Sequence, residues 1–135
     1  QSAGHVVILM EMMHDTRIIP LDDRPHLTSA VRTALGDARG HWEGDTLVVE
    51  TTNLKRGSGG ATRELRLVER FTRVAQDTLQ YEYTMHDPTT WTQPWTARIF
   101  MRPAPGTGVI YEFACHEGNY ALEHTLRGAR LQEGR

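Results

Sequence analysis

Apolar and polar positions alternate along much of this chain. From Leu79 to Met85, Leu79, Tyr81, Tyr83 and Met85 alternate with Thr78, Gln80, Glu82 and Thr84. A period of two predicts a half-buried β-strand. Leu65–Val74 reads as its hairpin partner, joined around Ala75-Gln76-Asp77. Gly40–Glu43 and Thr46–Thr52 flank Glu43-Gly44-Asp45, a tight-turn signal. Val6–Met13 and Thr16–Leu21 predict another hairpin that turns near His14-Asp15 and closes at Pro20. Trp91–Met101, with Pro94 near its start, and Val109–Cys115 complete the strands. One stretch has helical spacing instead. In Thr28–Leu35, Ala30, Val31, Ala34 and Leu35 form a stripe, Thr28 or Ser29 caps it and Gly36 ends it. From about residue 119 the pattern suggests a short helix and a charged tail.

This spacing of about eight short strands predicts an all-β fold with minor helix. The short connections favour an antiparallel meander that forms a small β-barrel or half-barrel, lipocalin-like in general shape. Residues 1–135 read as a single β domain, because 135 residues leave room for one core. The stretch 53–62, with Gly57-Ser58-Gly59-Gly60, reads as a flexible loop inside it.

Composition narrows the function classes. A net charge of −2 without any basic run argues against a nucleic-acid partner. The longest apolar run, Val6 to Met10, is too short for membrane insertion. No signal peptide is expected within this chain. With one cysteine, Cys115, there is no intrachain disulfide. Seven histidines are many for this length. An edge strand near Pro94 offers a place for a homodimer to form.

Candidate chemistry lies where the pattern breaks. Glu69 falls on the apolar face of Leu65, Leu67 and Phe71, where a carboxylate is costly unless paired. It is either a base, the partner of Arg70, Arg73 or another arginine, or a residue at the sheet rim. His14 ends the stripe of Val6, Ile8, Met10 and Met12, next to Asp15 and Arg17. A histidine beside a carboxylate suits base catalysis or metal ligation. His41 shares a strand face with Glu43, and strand ends also carry His86-Asp87 and Cys115-His116-Glu117. His14, His26, His41, His86 and His116 are candidate ligands for zinc, copper or iron, although their spacing matches no metal motif. Tyr81, Tyr83, Trp91 and Trp95, with His116, are the candidate ligand-binding residues, and Trp91 and Trp95 share a face on a regular strand.

Five motifs in order carry a resemblance. They are Arg17-Ile18-Ile19-Pro20-Leu21-Asp22 with Arg24-Pro25-His26, Gly40-His41-Trp42-Glu43-Gly44-Asp45-Thr46-Leu47-Val48-Val49-Glu50-Thr51-Thr52-Asn53, Glu69-Arg70-Phe71-Thr72-Arg73, Asp87-Pro88-Thr89-Thr90-Trp91 and Cys115-His116-Glu117-Gly118-Asn119-Tyr120. Together they resemble the C-terminal part of a family of uncharacterised exported proteins of soil bacteria. In that family a signal peptide and a longer N-terminal region precede this part. The resemblance implies an exported or periplasmic setting and supplies no chemistry.

From the residues themselves, the leading expectation is a small-molecule enzyme with a His/carboxylate pocket. It would perform acid–base or metal-assisted hydrolysis, elimination or isomerisation. Glu69 or Asp15 would serve as base or orienting acid, His14 and His41 as proton carriers or ligands, and Arg17 as the anchor for an anion. The alternative is a non-catalytic binding domain for an apolar or carbohydrate ligand. The discriminating feature is what shares a cavity with Glu69.

Overall fold

The computed structural model describes residue 2 and residues 4–104, 106, 110–114 and 117–134. Two antiparallel sheets and one helix account for its regular structure. Strands β1 (His5–Leu9) and β2 (Thr16–Pro20) form a separate hairpin. The main sheet is a meander of β3 (Asp37–Glu43), β4 (Thr46–Thr52), β5 (Arg66–Ala75), β6 (Thr78–His86) and β7 (Trp95–Met101), in chain order. Helix α1 (Ala121–Glu133) follows and buries none of its residues. No helix among the described residues is long and apolar enough to cross a membrane.

Register sets the two faces of the main sheet. Val49 pairs with Glu69 and Glu69 with Tyr83, while Leu47 pairs with Phe71 and Phe71 with Tyr81. Because side chains alternate, these residues share one face with Thr51, Leu67 and Met85. The opposite face carries ion pairs between Glu50 and Arg66, Glu43 and Arg70, and Glu82 and Arg98. Hydroxyls also meet across it, Thr46 with Thr72 and Thr84 with Thr96. One face is therefore apolar and the other solvated, as antiparallel sheets allow.

The β1–β2 hairpin covers one end of the apolar face. Ile19 is fully buried against Leu47 and Val49, with Val6, Ile8, Leu21 and Phe71 around them. Gly40 makes this approach feasible. A Cβ there would lie 2.7 Å from Ile19 Cγ2 and 3.0 Å from Leu21 Cδ2. A second core of Leu54, Leu65 and Met85 packs with Leu67, Tyr83, Trp91 and Trp95 at the other end.

Several sequence expectations need correction. The sheet does not close into a barrel, because β3 and β7 are edges that do not pair with each other. Strand β1 stops at Leu9, and a single 3₁₀ turn over Met12–His14 follows, with Met13 and His14 at positive φ. The stretch 28–35 is not a helix. Thr33 bridges Leu54, its carbonyl accepts from the Lys55 N–H, and its own N–H donates to the Asn53 carbonyl. Nearby, Asp37 accepts from the Leu27 N–H and the Asn53 amide donates to the Leu27 carbonyl. These bonds take the backbone groups that a helix of about two turns needs, and so short a helix has little stability of its own.

The strand expected from Trp91 begins only at Trp95. Before it, the Asp87 carbonyl accepts from the Thr90 and Trp91 N–H groups, and its carboxylate accepts from Thr62, Thr89 and Thr90. Burial opposes the charge of Asp87, but these donors outweigh it and hold its carboxyl well below the ordinary range. The last expected strand is absent from residues 110–114, while Val109 and Cys115 lie outside the described residues.

Candidate ligand-binding site

Glu69 is 2% exposed at the middle of β5. Its cost of burial is met by two partners from other strands. Arg17, on β2, donates Nη1 to Oε1 at 2.9 Å and Nη2 to Oε2. The Tyr81 hydroxyl, on β6, donates to Oε1 at 2.9 Å. Arg17 Nη2 also donates to Thr51 Oγ1 at 3.1 Å. Burial pulls the Arg17 pKa down, but the bonds and charge of Glu69 outweigh it and raise it further. Burial, then the Glu69 charge, pushes the Tyr81 hydroxyl well above the ordinary tyrosine value, so it stays a donor. The carboxylate is thus neutralised and chelated inside the fold.

Above this network opens a cavity of about 520 Å³. Arg17, Thr51 and Tyr81 contribute to its floor, and Leu54, Leu65, Leu67 and Met85 supply aliphatic wall. Tyr81, Tyr83 and Trp95 form another wall, the middle of a longer row of rings. Phe71 stacks on Tyr81 at 4.9 Å and Tyr81 on Tyr83 at 5.4 Å between centroids. Tyr83 then meets Trp95 edge-on at 5.7 Å, and Trp95 meets Trp91 at 5.5 Å. The loop Arg56-Gly57-Ser58-Gly59 lines the mouth, with Ala34 and Leu35. Gly57 has no room for a side chain, since a Cβ there would stand 1.6 Å from the Ala61 carbonyl oxygen. A second hollow of about 410 Å³, lined by Asp15, Thr16 and Thr33, meets the first at Arg17, Ala34 and Leu35.

Of the residues singled out in the sequence, the fold gathers Arg17, Tyr81, Tyr83 and Trp95 at this cavity, with Glu69 buried beneath it and bonded to Arg17 and Tyr81. Asp15 reaches only the neighbouring hollow. Trp91 lies behind Trp95 in the turn before β7, so the two do not share a regular strand face. His14 is exposed in the 3₁₀ turn, where its Nε2 accepts from the Phe113 N–H at 3.1 Å. His41 projects from the solvated face of β3, 61% exposed, and meets Glu43 Oε1 at 3.1 Å. His86 is exposed at the end of β6. His116 lies outside the described residues.

These histidines are dispersed over different faces and ends. Among the described residues no three of His, Cys, Asp and Glu stand close enough to share a metal ion. His26 does form a separate cluster. Its Nδ1 meets the buried Asp37 at 3.0 Å and its Nε2 lies 3.6 Å from Glu50. Burial works against the charge of Asp37, but bonds from Leu27, His26 and Arg39 lower its pKa on balance. Sequence reasoning missed Thr51, Leu54, Arg56 and Ser58 as cavity residues. The available signal is the Gly-rich stretch beside Arg56 and Ser58, which on sequence alone speaks only for flexibility.

Compared with family models, curated proteins and solved structures, the chain matches none of them.

Proposed function

We propose that this domain binds a small molecule with an apolar, ring-bearing body, held between the aromatic row and the aliphatic wall of the 520 Å³ cavity. In this reading the hairpin and the meander act together as a half-barrel with its mouth at the Gly57–Gly59 loop. The volume and lining suit a small-molecule site, in which an apolar wall binds and a few polar groups orient. The observation that carries the reading is the Arg17–Glu69–Tyr81 network. It satisfies its own charges and donors, so the cavity presents an internally paired floor rather than a free acid or base. His14 and His41, which acid–base chemistry with Glu69 would require, face elsewhere. Edge-to-face rings and leucines favour an apolar ligand over a carbohydrate. An exported or periplasmic setting, as the sequence resemblance suggests, fits a domain that captures such a molecule outside the cytoplasm.

The test is a titration with N-phenyl-1-naphthylamine, a neutral aromatic probe that brightens in apolar surroundings. Saturable one-to-one binding is expected. Tyr83→Ala should weaken it about tenfold, since a ring contact contributes on the order of 1 kcal/mol beyond its buried area. Ala34→Trp, which fills the mouth, should abolish it. A flat wild-type titration, or undiminished binding by Ala34→Trp, would remove the reading.

A further inference from the structure

We infer that the ligand carries a single anionic group of the carboxylate or sulfonate kind and that Arg56 selects for it at the cavity mouth. This rests on the cavity being a binding site, as proposed above. The argument begins with charge. Two cations, Arg17 and Arg56, line the cavity, and one anion, Glu69, is bonded to its floor. Two positive charges and one negative leave one positive in excess. Geometry then says where that excess resides. Arg17 is closed off, because Glu69 takes both ends of its guanidinium fork and Thr51 takes a further donor. Arg56 has no such partner: among the described residues it makes no ion pair and no hydrogen bond through its side chain.

Among the described residues Arg102, Arg127 and Arg130 also lack a side-chain partner, but none of them lines this cavity, and the other arginines of the sheets and their connections are paired. Arg32, Arg39, Arg66, Arg70 and Arg98 are each bonded to a carboxylate, a carbonyl or both. Arg56 is a cation with its donors unspent beside an apolar hollow. Its placement is fixed by the chain. Leu54, two residues before it, is buried in the second core, and Gly57, directly after it, fits only as glycine. An amphipathic ligand would put its rings on Tyr83 and Trp95 and its charge outward at Arg56. A guanidinium suits a carboxylate or a sulfonate because its donors match two oxygens at once. The role that the sequence suggested for Arg17, anchoring an anion, passes to a residue three positions before the Gly59 turn.

Two probes with one ring system measure this directly. N-phenyl-1-naphthylamine is neutral, and 1-anilinonaphthalene-8-sulfonate adds an anion to the same rings. Wild-type protein should prefer the anionic probe, and the preference should shrink as salt is added. Arg56→Gln should cut the preference about fivefold, the scale of one charge-assisted hydrogen bond at a partly exposed site, while Arg56→Lys keeps most of it. A preference unchanged in Arg56→Gln, including the case where both probes weaken together, overturns the assignment to Arg56. A wild-type protein that takes up neither probe overturns the pocket itself and this inference with it. Uptake of the neutral probe alone leaves the pocket standing and overturns the anion.

Discussion

Glu69 shows how one residue can be costly and stabilising at once. Alone on the apolar face it would cost stability; with Arg17 and Tyr81 it becomes a node that joins β2, β5 and β6. Removing one partner strands the other. Glu69→Gln leaves the Arg17 guanidinium buried without its counter-ion, and the domain should lose about 3 kcal/mol. Chemical denaturation of the two proteins measures this. Replacing both partners with apolar residues, Arg17→Met with Glu69→Leu, should recover most of the loss, because an apolar pair no longer has to be desolvated. A single variant as stable as wild type would mean the pair contributes nothing. Glu69 was legible in the sequence because it breaks a period of two. Its partner was not: the sequence points first to the neighbours Arg70 and Arg73, yet Arg70 pairs with Glu43 and Arg73 bonds turn carbonyls, because strand order, which no local pattern encodes, sets Arg17 against β5.

At the scale of elements, legibility followed the range of the forces. The β3–β4 and β5–β6 hairpins were readable because their turns and alternation lie within a few residues of each other. Thr28–Leu35 has helical spacing yet no helix, because its fate is set by distant groups, Asn53, Leu54 and Asp37, which hold its backbone open. The row of Tyr81, Tyr83 and Trp95 was visible in the strand pattern, whereas the loop that lines the cavity mouth was visible only as glycine content. Docking of the hairpin onto the sheet depends on the missing side chain at Gly40. Gly40→Ala would press a methyl against the buried Ile19, so β1–β2 must lift or distort. We expect a loss of about 1–3 kcal/mol, typical of overpacking, in the unfolding free energy. Ile19→Val in the same protein, which trims that side chain, should return part of it. An unaltered stability for Gly40→Ala would show that the hairpin sits loosely.

For the whole molecule, the consequence lies in how the two sheets are joined. The five strands of the meander share continuous ladders, but among the described residues no backbone hydrogen bond links β2 to β3. Among the described residues, the hairpin is held to the meander by the packing of Ile19 and its apolar neighbours and by the Arg17 fork. Side-chain attachments of this kind let a segment open without unravelling the rest, as a cooperative unit of lower stability. Amide hydrogen exchange should therefore resolve two tiers: the N–H groups of β1 and β2 should exchange through a local opening, while those of β4, β5 and β6 wait for global unfolding. A single shared exchange free energy would mean that the two sheets behave as one. If the tiers exist, one of the three floor residues, Arg17, belongs to the part that opens. Each opening would carry Arg17 away from Glu69, so the rate at which a ligand leaves would be tied to the lifetime of an ion pair rather than to the motion of the glycine loop.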